Sequence, residues 1–186
     1  MKAAKAPAEI ATTRLLLVRP TADVASEVFE RYASDPEVTC YLSWPRHQSI
    51  ADTQAFLNFS ASEWERWPAG PYLIRSLDDG RLLGGTGLGF ESAEQAATGY
   101  VFAKDAWGKG FATEALRAMV DVARQTGVSS LYALCHPQHR ASSHVLEKCG
   151  FTREVEWSQL TEFPNLVPGV LQEVLRYEIA LDARQT

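Results

Sequence analysis

The stretch Trp107-Gly108-Lys109-Gly110-Phe111-Ala112-Thr113-Glu114-Ala115 constrains this chain more than any other, because it joins a strand-like run to a periodic helix through residues of little bulk. The preceding Thr98-Gly99-Tyr100-Val101-Phe102-Ala103 has strand composition. Beyond the turn, Ala112, Ala115, Leu116, Met119, Val120 and Ala123 recur at helical spacing on one face, and Gly127 closes the run. No Ser, Asp or Asn stands at the expected N-cap near Gly110, so the first-turn amides need another acceptor. A pyrophosphate would supply it, which makes the turn a candidate phosphate cradle.

The spacing separates this turn from other glycine-rich phosphate sites. A dinucleotide fingerprint requires Gly or Ala at position 113, where Thr stands, and a Walker loop requires Gly-Lys-Ser/Thr, which is absent. Gly84-Gly85-Thr86-Gly87-Leu88-Gly89 also departs from the dinucleotide spacing, since Phe90 takes the last glycine's place and no helical pattern follows. It reads as a glycine-rich strand.

Trp107-Gly108-Lys109-Gly110-Phe111-Ala112 resembles the R/Q-x-x-G-x-G/A signature of the GNAT superfamily of acetyl-coenzyme A-dependent N-acetyltransferases, with Trp107 in place of Arg or Gln. The likeness is to the Rim-type branch, typified by enzymes that acetylate ribosomal-protein N-termini. Two further blocks agree with it. His136-Pro137-Gln138-His139-Arg140-Ala141-Ser142 with Val145-Leu146-Glu147-Lys148-Cys149-Gly150-Phe151 is similar to the branch's Pro-x-Asn-x-x-Ser … Leu-Glu-Lys-x-Gly-Phe segment, His139 standing where Asn is usual. Thr13-Arg14-Leu15-Leu16-Leu17-Val18-Arg19-Pro20 resembles its opening strand. The resemblance implies acetyl-coenzyme A as co-substrate, its pantetheine arm lying strand-like beside Val101, Phe102 and Ala103. Its pyrophosphate would rest on Gly108, Lys109, Gly110, Phe111, Ala112 and Thr113.

Composition limits what else the chain could be. At 186 residues, 46% hydrophobic and 22% charged, it has the make-up of one soluble domain, expected over residues 11–184 behind a mobile tail at 1–10. A net charge of −5 argues against direct nucleic-acid binding by phosphate neutralisation. Three cysteines, Cys40, Cys135 and Cys149, cannot all pair, and there is neither a secretory apolar region nor a membrane-length run. A reducing cytoplasm and a monomer or homodimer are expected.

Along the chain the pattern reads β-α-α-β-β-β-α-β-α-β-β, a mixed α+β arrangement in which helices flank a central mixed sheet. Residues 14–19 form the first strand. Thr21 and Asp23 start a helix that Asp35-Pro36 ends, and Ser49 with Asp52 starts a second that Trp67-Pro68 ends. Strands at 72–75 and 82–90 flank the turn Asp78-Asp79-Gly80. After the signature helix come a strand at 131–135, a helix closed by Gly150, and strands near 152–157 and 171–181.

Acyl transfer needs an aligned amine, support for the oxyanion, and management of two protons, but no covalent enzyme intermediate. Glu162-Phe163-Pro164-Asn165 resembles the family's Glu-aromatic-x-Asn stretch between the last two strands, and makes Glu162 the candidate base. Leu166 replaces the Gly usual after it, and Ala96-Ala97-Thr98 lacks the carboxylate often found before Gly99. Glu91 is the rival base. Ser142 matches the family's Ser near the departing sulfur, with helix capping as its simpler role, and His139 is a candidate cofactor contact. Cys135, His136, His139, His144 and Cys149 lack zinc-site spacing, so no metal is expected. Trp44, Phe56, Phe59, Trp64 and Trp67 are either acceptor-pocket walls or core. The reading is acetyl transfer by direct attack of a primary amine, on a small molecule or a protein N-terminus. A non-catalytic acyl-coenzyme A-binding module is the alternative.

Overall fold

The computed structural model describes residues 4–181. Its strands are β1 (Glu9–Ala11), β2 (Leu15–Val18), β3 (Pro71–Ser76), β4 (Leu82–Phe90), β5 (Gln95–Phe102), β6 (Ser130–Cys135), β7 (Thr152–Arg153), β8 (Gln159–Glu162) and β9 (Leu171–Ala180). The α-helices are α1 (Ala25–Val28), α2 (Pro36–Thr39), α3 (Ile50–Arg66), α4 (Phe111–Gln125) and α5 (Arg140–Lys148). The sheet runs β1-β2-β3-β4-β5-β6-β9-β7, with β8 on β9, and every pairing is antiparallel except β5 with β6. This is the mixed, helix-flanked arrangement that the sequence pattern predicts.

Local chemistry explains the long elements. The Asp52 carboxylate accepts from the backbone N–H of Ser49 at 2.9 Å and of Gln48 at 2.8 Å, fixing the start of α3. Gly80, with φ 72°, turns the β3–β4 hairpin. In α4, Ala115, Leu116, Met119, Val120 and Ala123 are buried against one sheet face, while Ala112 is half-buried. Gly127 and Gly150 take the left-handed conformation past the ends of α4 and α5, where Val128 N–H reaches the Ala123 carbonyl and Phe151 N–H the Leu146 carbonyl. The opposite sheet face carries a smaller cluster around Val28, Tyr32, Leu73 and Leu82.

Three details differ from the sequence-based expectations. The tail predicted for residues 1–10 docks earlier: Glu9–Ala11 pairs with β2, Ala6 is buried and donates to the Pro68 carbonyl, and the Tyr72 hydroxyl donates to Pro7. Residues 1–3 and 182–186, including the predicted domain end at 184, lie outside the described residues. The first predicted helix is a 3₁₀ turn (Ala22–Val24), α1 and a π turn (Phe29–Ala33) in succession, and Thr21 makes no side-chain cap. The predicted strand at 152–157 is a strand only at β7, Thr152–Arg153; Glu154 N–H still donates to the Arg176 carbonyl of β9 at 3.0 Å, and strand structure resumes with β8 at Gln159.

Candidate active site

The site begins where β5 and β6 part. Their parallel ladder holds only at Gln95–Ala97 against Ser130–Tyr132, while β5 stays paired with β4 out to Phe102 and β6 with β9 out to Cys135. From Thr98 to Phe102 one edge of β5 is therefore without a strand partner, and its backbone groups face the gap. This places Val101, Phe102 and Ala103, the predicted pantetheine strand, at or next to that open edge. Trp107 braces it through Nε1, which donates to the Phe102 carbonyl at 2.7 Å.

The predicted cradle follows directly. Gly108 and Gly110 have φ of 71° and 78°, and Gly110 occupies the N-cap of α4 with no side chain capping the first turn. A Cβ added to Gly108 would meet nothing within 4 Å, and one on Gly110 would meet only the Arg14 Nη2 at 3.5 Å. The first-turn amides of Phe111-Ala112-Thr113 thus have no N-cap side chain as acceptor at the positive end of the helix, which is chemistry suited to a phosphate. Lys109 is exposed, and its carbonyl accepts from Arg14 Nη1 at 2.8 Å. Glu114 holds the turn from below: it accepts from Thr12 Oγ1 at 2.6 Å and from Arg14 N and Nε at 2.8 Å each. Burial alone would raise the Glu114 pKa, but these donors and the Arg14 charge outweigh it and hold the carboxyl below its ordinary range.

A cleft of about 930 Å³ opens from the β5–β6 gap. Its floor is the sheet face bearing Gly85, Gly87 and Gly99, and Gly87 and Gly99 are register partners on β4 and β5. Along the glycine-rich strand read from the sequence, Gly89 is bare toward open space, as is Gly99 on β5, whereas Tyr32 Oη and the Pro71 backbone occupy the space beside Gly85 and Gly87. Ser142, on the first turn of α5, lines the cleft beside Tyr100, whose hydroxyl lies 3.0 Å from Ser142 Oγ and donates to the Ser142 carbonyl at 3.1 Å. Burial raises the Tyr100 pKa, so this phenol stays protonated. Sequence reasoning passed over Tyr100 although it sits in the Gly99-Tyr100 pair of the strand. The buried thiol of Cys135, its pKa raised by burial, lies 3.6 Å from Ser143 Oγ.

The candidate carboxylates lie elsewhere. Glu162 is exposed at the end of β8 and accepts from Gly169 N–H at 2.8 Å, whereas its neighbours Thr161 and Phe163 line the cleft. Strand alternation turns its side chain outward, away from the face that Thr161 and Phe163 present to the cleft. Glu91 is also exposed and accepts the hydroxyl of Tyr132. The cleft holds imidazoles instead. His47 Nδ1 lies 2.8 Å from Thr53 Oγ1, and burial keeps its pKa below the ordinary His value. His139, the predicted cofactor contact, precedes α5 and stacks on Tyr41 at 4.7 Å, its pKa lowered by burial and by neighbouring His136. His136 accepts from Gln138 N–H at Nδ1 and lies 3.3 Å from Gln172 Oε1 at Nε2. Among the described residues no cluster of metal-binding side chains forms.

The aromatic residues divide in two. Trp64 is core, 2% exposed, with Nε1 donating to the Pro71 carbonyl, and Trp67 stacks on Phe90. Trp44, Phe56 and Phe59 line the cleft. Asn165 ties the two loops that supply the outer walls: its Oδ1 accepts from Arg46 N–H at 2.7 Å, and its Nδ2 donates to the Thr39 and Trp44 carbonyls at 2.8 and 2.9 Å.

A sheet splayed beside an uncapped helix N-terminus, with a cleft at the opening, defines a GNAT-type acyltransferase. A family model for the Acetyltransferase (GNAT) domain matches residues 14–152, and the chain belongs to that family. It is an acetyltransferase, with acetyl-coenzyme A as co-substrate. Among relatives it is 30% identical over 123 residues to the uncharacterized protein YkkB of Bacillus subtilis (strain 168), spanning 63% of this chain and 69% of YkkB. Solved structures share the fold. The microcin C7 self immunity acetyltransferase MccE, in complex with acetyl-CoA and AMP, matches with TM-score 0.81 at 20% identity over 95% of this chain and 98% of its own. RimL, the ribosomal L7/L12 alpha-N-protein acetyltransferase in complex with coenzyme A, matches with TM-score 0.80 at 20% identity over 95% and 99%. Among the described residues no helix is long and apolar enough to cross a membrane.

Proposed function

We propose that this protein transfers acetyl from acetyl-coenzyme A to a primary amine by direct attack, as one domain that works in the cytoplasm as a monomer or homodimer. The observation that carries the reading is the continuity of the Gly108–Gly110 turn with the open edge of β5 and the cleft. The turn takes the pyrophosphate on Phe111, Ala112 and Thr113 N–H, with Lys109 adding positive charge nearby. The edge at Val101 to Ala103 orients the pantetheine arm, and the thioester supplies the activated acyl group. Ser142 serves the departing thiolate, held in place by Tyr100.

The amine's proton goes to a neutral imidazole of the cleft, His47 or His139, in the position that neither Glu162 nor Glu91 fills. Burial leaves both rings unprotonated near pH 7, as a base must be. Three free cysteines support a reducing compartment. The deciding experiment measures coenzyme A release over a panel of amines beside binding of acetyl-coenzyme A alone. Release that depends on an amine is the expected result; binding without release on any amine would leave only the module reading.

A further inference from the structure

We infer that the acceptor is a primary amine carried on a flat aromatic group, the ring lying among the aromatic side chains of the cleft. The inference rests on the acetyltransferase reading and deepens it. Two aromatic groups line the cleft: Tyr41 and Phe163, which pack on His136 at 5.0 and 4.7 Å, and Trp44 and His47, 5.2 Å apart, with Phe56 6.5 Å from His47. All line the same cleft, with Phe59 at its margin, 57% exposed. At Gly89 and Gly99 the cleft is lined by bare backbone, where an added Cβ would meet nothing within 4 Å, so a slab-shaped group can approach the sheet there more closely than a bulky one.

The charge inventory points the same way. The cleft's charged side chains are Arg46, Asp52 and Glu63. Asp52 is committed to the start of α3, where it accepts from Gln48 and Ser49. One uncommitted carboxylate, Glu63, set against one guanidinium, Arg46, does not match a substrate with several positive charges. Rings do attract cations, but an oligocation would leave its remaining charges against apolar walls. A single amine on an aryl group buries its ring by stacking and keeps only the reacting nitrogen polar.

The test compares 2-phenylethylamine with 2-cyclohexylethylamine, which share the amine, its spacing and nearly the same apolar volume but differ in flatness. Spermidine and a short glycine-initiated peptide complete the panel, all at saturating acetyl-coenzyme A. The expected result is kcat/KM for 2-phenylethylamine about tenfold above the cyclohexyl compound, the size of one to two stacking contacts, and above spermidine and the peptide. Phe59→Ala, at an exposed position that folding does not depend on, should lower that value about fivefold, with coenzyme A affinity and thermal melting unchanged. Preference for spermidine, the peptide or the cyclohexyl compound would overturn the inference while leaving the acetyltransferase reading intact. An unaltered kcat/KM in Phe59→Ala would also overturn it. Failure of every amine to release coenzyme A would defeat the underlying reading and this inference together.

Discussion

Replacing Gly110 separates the cradle's chemistry from its backbone. Gly110 has φ 78° and ψ 6°, so any L-residue there pays roughly 1–2 kcal/mol of left-handed strain. Space is not the obstacle, since a Cβ meets only Arg14 Nη2 at 3.5 Å. In a domain of this size the strain lowers Tm by roughly 2–8 °C. It is present with and without ligand, so it cancels from coenzyme A affinity, and Gly110→Ala should bind within about threefold of wild type. Gly110→Asp carries the same strain but adds a carboxylate at an N-cap, where it accepts from first-turn amides and recovers about 1 kcal/mol. Those are the amides assigned to the pyrophosphate. Losing one charge-assisted hydrogen bond, about 1.5–3 kcal/mol, weakens binding roughly 10- to 150-fold, and like charge weakens it further. Calorimetric titration with coenzyme A and thermal melting should therefore move in opposite directions: Asp melts at or above Ala yet binds far more weakly. Equal affinities for Ala and Asp would refute the cradle at this turn.

Three other perturbations test the remaining parts. Ser142→Ala should lower turnover about tenfold or more while acetyl-coenzyme A affinity holds, and Tyr100→Phe should do so less; if Tyr100 acts through Ser142, the double variant is no slower than Ser142→Ala, and additive losses in steady-state kinetics would break that link. Glu162→Gln should keep turnover within about threefold and leave the acidic limb of the rate profile in place, because a general base contributes roughly 10²-fold or more and an outward carboxylate cannot; loss of that limb would restore Glu162 as base. Glu114, 16% exposed, has a folded-state pKa below its unfolded value, so its contribution is present above the ordinary Glu range and is lost as pH falls through the folded pKa. Glu114→Gln should cost about 2 kcal/mol at pH 7, allowing for screening of the half-exposed Arg14, and its Tm deficit should shrink below about pH 4; a deficit independent of pH would place the effect in packing.

What the sequence made legible was what neighbouring residues decide. The span of β4, the start of α3 at Ser49 and Asp52, the turn at Gly80 and the helix between Gly110 and Gly127 depend on residues a few positions apart. β1 was not legible because three residues become a strand only by pairing with β2. The role of Tyr100 was hidden for the same reason: its partner Ser142 is 42 residues away. Trp64 and Trp44 looked alike as aromatics near a helix, and only the packing sends one into the core and the other into the cleft.

In the stretch Glu162 to Asn165 the resemblance and the packing draw attention to different atoms. On the sequence its carboxylate drew attention, since acyl transfer to an amine needs a base. In the fold the alternation of β8 sends Glu162 to solvent, while Phe163 faces His136 in the cleft and Asn165 binds three backbone groups of the loop that carries Tyr41 and Trp44. The side chains that this segment turns into the cleft are therefore Thr161 and Phe163 and not the carboxylate. Phosphate recognition needs only backbone amides at one helix start, so a contiguous signature records it. An acceptor wall needs side chains from three distant segments, and its specificity resides in their register. Changes at Asn165 should accordingly alter which amine is accepted before they alter how coenzyme A is held.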